Sequence, residues 1–187
     1  MTKTLILLAA GLSRRYGAEN KLLAMVEGQP MYRHILDKLE RLRDGKTALL
    51  VMTNTPEVQA DCTARKIEWR ESPRAAEGIA QTIRCALEYA PETDAYVFFV
   101  ADQPKLKEAT IRRFLHRCET SDKGLGCLCS REGRGNPAWF HRRYLPALRA
   151  LAGDQGGRTI LERHPGDLLL CGAEAGELED IDVPSCH

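Results

Sequence analysis

Leu8-Ala9-Ala10-Gly11-Leu12-Ser13-Arg14-Arg15-Tyr16-Gly17, with Lys21 shortly behind, places small residues and cations directly after an apolar run. Gly11 and Gly17 let the backbone approach a ligand or adopt positive φ, so that N–H groups can point at phosphate oxygens. Ser13 adds a hydroxyl donor. Arg15 offers a guanidinium fork and Lys21 a point charge, while Arg14 reads as a solvated cation. The set is a polyphosphate site, although its spacing is neither G-x-x-x-x-G-K-[ST] nor G-x-G-x-x-G. Asp102 closes the apolar run Tyr96 to Ala101, where an acid has little packing value, and Pro104 fixes the turn behind it. Its carboxylate suits Mg²⁺, which takes one or two carboxylates plus phosphates and water; a helix N-cap is the competing reading. No Ser/His/Asp or Cys/His nucleophile arrangement stands out, and His34 and His116 fall within helical patterns.

The elements that must position these residues are legible from their periodicity. Leu5–Leu8, Ala48–Met52 and Tyr96–Val100 are continuous apolar runs of strand length, the pattern of strands buried on both faces of a parallel sheet. Between them, Met31, Ile35, Leu39 and Leu42 share one helical face behind Pro30, and Asp44-Gly45 closes that helix. Ile79, Ile83 and Leu87 form a second stripe, and Ile111, Phe114, Leu115 and Cys118 a third. Alternation of strand and helix predicts an α/β fold with a Rossmann-like, doubly wound, mostly parallel sheet. Later in the chain, 125–130 reads as a strand, 144–151 and 157–164 as helices, and 168–171 and 178–181 as short strands. With no repeat and no long linker, residues 1–187 are expected to form a single domain. Ligands of such sheets sit beyond the carboxyl ends of the strands, where strand order reverses, so the loops after Leu8 and Val100 are the places for a site.

Composition sets outer limits. With 27 Lys+Arg against 26 Asp+Glu, the formal charge is +1, which excludes a general coat for nucleic acid. The apolar runs fall far short of the roughly 20 residues that span a bilayer, and the opening Met1-Thr2-Lys3 does not read as a secretory signal. A cytoplasmic protein, away from nucleic acid and membrane, is expected. The 7 cysteines include no C-x-x-C, and Cys127 and Cys129 lack a second half for a zinc site, so packing is their expected role.

The motif L-A-A-G-x-S-x-R-x-G followed by K resembles the signature of MobA-like nucleotidyltransferases, in the form closest to the molybdenum cofactor cytidylyltransferases. Glu77-Gly78-Ile79-Ala80-Gln81-Thr82 is similar to the family's G-x-x-x-S segment, with Thr82 in the serine position. Ala101-Asp102-Gln103-Pro104 resembles its D-x-P, Gly135-Asn136-Pro137 its G-x-P turn, Gly153-Asp154-Gln155-Gly156-Gly157-Arg158 its G-D-x-G-x-R, and Asp180-Ile181-Asp182-Val183-Pro184 its D-I-D-x-P. The likeness covers nearly the whole chain.

The resemblance implies a fold of the nucleotide-diphospho-sugar transferase type. It implies transfer of a nucleoside monophosphate to a phosphorylated acceptor, a molybdopterin or molybdenum cofactor, with release of pyrophosphate. Arg15 and Lys21 would be catalytic. Ala9, Ala10, Gly11, Ser13, Gly17, Gly78 and Thr82 would bind the nucleotide, with packing inside the helix a competing role for Thr82. The Ala-Ala-Gly opening goes with cytosine in that family and hence with CTP. Asp102 and Asp182 would hold Mg²⁺, and Asn136, Asp154 and Arg158 would face the acceptor. A molybdoenzyme would be a partner receiving the product. Other readings stay open: a guanylyl- or sugar-phosphate nucleotidyltransferase of the same fold, a glycosyltransferase using Asp180-Ile181-Asp182, or a non-catalytic module that binds nucleotide or cofactor.

Overall fold

The computed structural model describes residues 1–11, 20–131 and 133–180. Ser13, Arg15, Gly17 and Asp182 lie outside the described residues. The first strand, β1 (Lys3–Ala9), is followed by a small hairpin of β2 (Met25–Val26) and β3 (Gln29–Pro30). Then come α1 (Met31–Glu40), β4 (Thr47–Thr53), α2 (Pro56–Ala64), β5 (Glu68–Arg70), α3 (Ile79–Tyr89) and β6 (Ala95–Val100). The rest comprises α4 (Glu108–Thr120), β7 (Leu125–Ser130), β8 (Gly133–His141), α5 (Leu145–Arg149), α6 (Arg158–Arg163) and β9 (Leu168–Gly172).

Seven strands form one sheet in the order β5-β4-β1-β6-β8-β7-β9. β1 is central and pairs in parallel with β4 on one side and β6 on the other, Leu8 facing Met52 and Val100. Strand order therefore reverses at β1, and the carboxyl ends of β1 and β6 open side by side. The period-2 alternation of β1 divides its apolar residues between two layers. Leu5, Leu7 and Ala9 join a cluster with α1, α2 and α4, whereas Ile6 packs with α3, α5 and α6 on the other face. Both faces are thus dry, which is why the strands read as unbroken apolar runs. Among the described residues no helix is long and apolar enough to cross a membrane.

The structure departs from expectation in three places. β8 runs antiparallel to both neighbours, Phe98 facing Ala138 and Cys127 facing Ala138 from the other side; its opening Gly133-Arg134-Gly135-Asn136-Pro137 reads as a turn because it contains the residues turns use. Residues 178–180 form no strand: Glu174 N donates to Glu177 Oε2 at 2.9 Å, and the chain turns there instead. The helix α2 escapes a periodicity search because only Val58 and Cys62 of it are buried.

Between β8 and β9 the packing is fastened by Asp167, which accepts from Gly124 N at 3.0 Å, from Arg143 at 2.7 Å and from the Tyr144 hydroxyl at 2.6 Å. Burial alone would raise the Asp167 carboxyl, but the Tyr144 hydroxyl, the Gly124 N–H and Arg143 outweigh it and hold the pKa at about 2. A depressed folded-state pKa stabilises the fold fully above the ordinary value of 3.8, and that stabilisation drains away as pH falls toward about 2. Asp167→Asn should flatten the acid limb of a stability-versus-pH curve in that window, measured by denaturant titration; an unchanged limb would show that these contacts contribute nothing net.

Candidate functional site

Two adjoining clefts open at the carboxyl ends of β1 and β6, sharing Leu8, Ile79 and Val100. The first, of about 420 Å³, takes Ala9, Ala10 and Gly11 from the end of β1, Gly78 and Thr82 from the start of α3, and also Lys21, Asp102 and Asp154. Every described residue expected to meet nucleotide or metal therefore lines one cavity. Gly11 lies outside the left-handed region, and a Cβ there would meet open space, so its service is access and not unusual backbone geometry.

The charged feature of this cleft is an ion pair, Lys21 Nζ to Asp102 Oδ2 at 2.8 Å, with the side chains 14% and 26% exposed. Each partner is placed by its own loop. Lys21 begins a 3₁₀ turn, Lys21–Leu23, capped by Asn20, whose Oδ1 accepts from Leu22 N at 3.0 Å. Asn20 Nδ2 also donates to Thr55 Oγ1 at 2.7 Å, which ties the turn to the loop after β4. Asp102 follows β6, whose extension is held by Ala101 N donating to Leu8 O at 3.3 Å. Lys38 of α1 donates to Pro104 O at 2.9 Å, and burial pushes its ammonium pKa down. Asp102 is not a helix cap: the residue in the N-cap position of α4 is Lys107.

The α3 side is fixed with equal economy. Asn54 and Ser72 exchange two hydrogen bonds, of 2.9 and 2.8 Å, and the Ser72 hydroxyl shares a hydrogen bond of 3.1 Å with the Thr82 hydroxyl, both groups being buried. Thr82 thus packs inside its helix while also lining the cleft. Gly78 has φ +115°, and a Cβ there would lie 2.2 Å from Gly153 O and 2.8 Å from Asp154 Oδ1. Only glycine accommodates both the backbone and the close approach of residues 153 and 154. Ile79, read from periodicity as core, is 37% exposed because it forms a wall common to both clefts.

The second cleft, of about 350 Å³, holds Asn136 and Arg158, together with Gln103, Arg134 and Asp180. Arg158 Nε is engaged by Glu162 at 2.8 Å on an exposed face of α6. Asn136 precedes a cis peptide bond to Pro137. Asp154, expected here by resemblance, lines the first cleft instead, where its Oδ1 lies 2.8 Å from the place a Cβ on Gly78 would take.

Sequence reasoning missed what holds the segment that runs into Asp180. Glu177 is 2% exposed, and its carboxylate accepts from the Thr110 hydroxyl at 2.9 and 3.0 Å, from Lys107 N at 3.2 Å and from Glu174 N at 2.9 Å. Next to it, Leu178 O accepts from the buried Gln103 Nε2 at 3.2 Å, and Lys105 pairs with Glu179 at 2.6 Å at the rim. The segment running into Asp180 is thereby bound to the loop that carries Asp102. The only signal in the sequence was the acid itself, in a stretch with several, and a buried carboxylate is indistinguishable there from a solvated one.

Among the described residues no group of three or more His, Cys, Asp or Glu side chains is placed to hold a metal. A cation in the first cleft would have Asp102 and phosphate oxygens as its hard ligands, the chemistry Mg²⁺ or Mn²⁺ favours. Burial raises the thiols of Cys62 to about 12 and Cys127 to about 11, in keeping with packing roles. His34 is likewise structural, its Nε2 donating to Val26 O at 2.8 Å.

Residues 5–168 match the family described as MobA-like NTP transferase domain. The chain is 29% identical to the molybdenum cofactor guanylyltransferase of Vibrio cholerae serotype O1 over 97% of its own length and 83% of that protein. Rv0371c of Mycobacterium tuberculosis shares the fold with a TM-score of 0.78 at 24% identity, covering 98% of this chain and 94% of the other. A manganese complex of Rv0371c superposes with a TM-score of 0.71 at 23% identity, covering 98% and 91%. A nucleotidyl transferase from Methanothermobacter gives a TM-score of 0.79 at 19% identity, covering 98% and 93%.

Glu177→Ala orphans the Thr110 hydroxyl and two backbone N–H groups, each worth about 1–3 kcal/mol when left unpaired in the interior. A loss of roughly 3 kcal/mol lowers the melting temperature of a chain of this size by about 6–12 °C, with Glu177→Gln losing less. Thermal unfolding followed by circular dichroism checks this, and a parent-like melting curve for Glu177→Ala would remove Glu177 as an anchor.

Proposed function

The chain belongs to the MobA-like NTP transferase family, and we propose, on that premise, that it transfers CMP from CTP to a phosphorylated pterin-type acceptor of the molybdenum cofactor class. The observation that carries this reading is the Lys21–Asp102 pair at the mouth of a cleft lined by Ala9, Ala10, Gly11 and Gly78, with a second polar cleft adjoining it. The Ala-Ala-Gly opening supports cytosine. A second reading, transfer of GMP from GTP, is favoured by the guanylyltransferase relative.

In the proposed step an oxygen of the acceptor phosphate attacks the α-phosphorus in line. The bond from α-phosphorus to the oxygen bridging to the β-phosphate breaks, and pyrophosphate departs with that electron pair. A phosphate monoester with its second pKa near ~6 is largely dianionic at neutral pH, so no general base is needed. Lys21, with Arg15 outside the described residues, would neutralise charge on the leaving pyrophosphate, and backbone groups at Ala10 and Gly11, with Ser13 and Gly17 outside the described residues, would orient the triphosphate. Thr82 would support the same wall through Ser72. Asn136 and Arg158 would meet the acceptor in the second cleft. Asp102, with Asp182 outside the described residues, would hold Mg²⁺, which would neutralise charge on the polyphosphate; that the similar Rv0371c forms a manganese complex supports a divalent cation here. A molybdoenzyme would receive the product.

The test is pyrophosphate release from the four nucleoside triphosphates against a panel of phosphorylated acceptors that includes the molybdenum-bearing pterin. CTP with the pterin is expected to give the fastest release; fastest release from GTP would establish the second reading instead. Lys21→Ala and Asp102→Ala should each lower turnover by about 100-fold or more, the usual cost of removing a positioned charge from a developing one. Full activity in Asp102→Ala would eliminate its metal role.

A further inference from the structure

Three charged side chains line the first cleft among the described residues, and two of them, Lys21 and Asp102, neutralise each other. The third is Asp154. Its position is built and not incidental. Gly153 O accepts from Ala80 N at 3.1 Å, which fastens the loop to the first turn of α3, and the missing side chain at Gly78 admits the carboxylate, since a Cβ there would stand 2.8 Å from Asp154 Oδ1. Gly78, the N-cap residue of α3, has no side chain with which to cap the helix.

An anion so placed repels phosphate. With the phosphates placed by Lys21 and the metal, as proposed above, it is left to meet a part of the nucleotide that donates hydrogen bonds. We propose that Asp154 is a specificity-determining residue that accepts a hydrogen bond from the exocyclic amine of the nucleobase, selecting amino-bearing bases over their oxo or unsubstituted counterparts. This rests on the reading of the first cleft as the nucleotide site. The physical basis is asymmetric: the 4-amino group of cytosine or the 2-amino group of guanine donates to the carboxylate. The 4-oxo group of uracil would set two acceptors against each other, and hypoxanthine offers no 2-amino donor. Rejection of an analogue that lacks a required donor is the strongest discrimination a polar site achieves. Among the neighbouring side chains, those of Ala9 and Ala10 have no polar atom and the Thr82 hydroxyl is shared with Ser72, so the carboxylate is the strongest acceptor that a side chain offers there.

The experiment is calorimetric titration of CTP, 2′-deoxy-CTP, UTP, GTP and ITP with Mg²⁺ and no acceptor, so that turnover is not required, on the parent, Asp154→Asn and Asp154→Ala. The parent should favour CTP over UTP, or GTP over ITP, by about tenfold or more, and both variants should reduce that ratio to near unity. Which pair shows the effect identifies the base. Parent-like ratios in both variants overturn the proposal, and do so decisively if melting temperatures fall, because Asp154 then only steadies the start of α3. A selectivity lost instead between CTP and 2′-deoxy-CTP also overturns it, placing the carboxylate on the ribose. If no triphosphate binds the parent, this proposal falls together with the nucleotide-site reading, an outcome separate from binding with unaltered selectivity.

Discussion

The site depends on one contact, the ion pair that joins the loop after β1 to the loop after β6. These loops emerge where the sheet reverses its strand order, and among the described residues the backbone ladder ends there with Ala101 N on Leu8 O. Lys21 on Asp102 spans the gap at 2.8 Å. Both side chains are largely shielded from solvent, so their attraction is less screened than that of a surface pair, while each also meets part of the other's desolvation cost. Other polar contacts lie around that bridge: Asn20 to Thr55, Asn54 to Ser72, and Ser72 to Thr82. Three loops and the start of α3 are thus held by hydrogen bonds in each of which at least one partner is a side chain.

The sequence exposes the parts of this arrangement that rest on local rules. The runs at 5–8, 48–52 and 96–100 are apolar at every position because both faces of the sheet are covered, and that pattern admits few alternatives. Ala9, Ala10, Gly11, Lys21, Gly78, Thr82 and Asp102 are recognisable by spacing and motif and converge on one cleft. What is not legible depends on distant partners. β8 begins with turn residues, yet pairing with β6 and β7 overrides that preference. Glu177 is an ordinary acid until Thr110, Lys107 and Glu174 surround it, and Asp154 lines the first cleft beside a glycine some 75 positions earlier in the chain. Tertiary context decides each of these, and no local window contains it.

The near balance of charge in the composition conceals the same lesson. Opposite charges are spent mostly against one another: Arg65 gathers Asp37, Glu40 and Asp61 between α1 and α2, and Arg143 engages Asp167. Such networks fix helices and turns without giving the surface a dominant sign. A small anion therefore meets local charge at a cleft and not a long-range field, which suits a protein that handles one ligand at a time instead of a polymer.

The reversed direction of β8 has a consequence for how the second cleft is made. Parallel strands deliver only their carboxyl ends to the ligand side of a sheet, and each requires a crossover to return. An antiparallel strand inserted between β6 and β7 delivers its beginning to that same side, so Gly133 to Asn136 reach the cleft directly from a hairpin. Residues at the tip of a hairpin can lengthen, shorten or change without disturbing any crossover helix or the first cleft. The topology thereby gives the two clefts different supports, the first at the sheet reversal beside β1 and the second at the start of an inserted antiparallel strand.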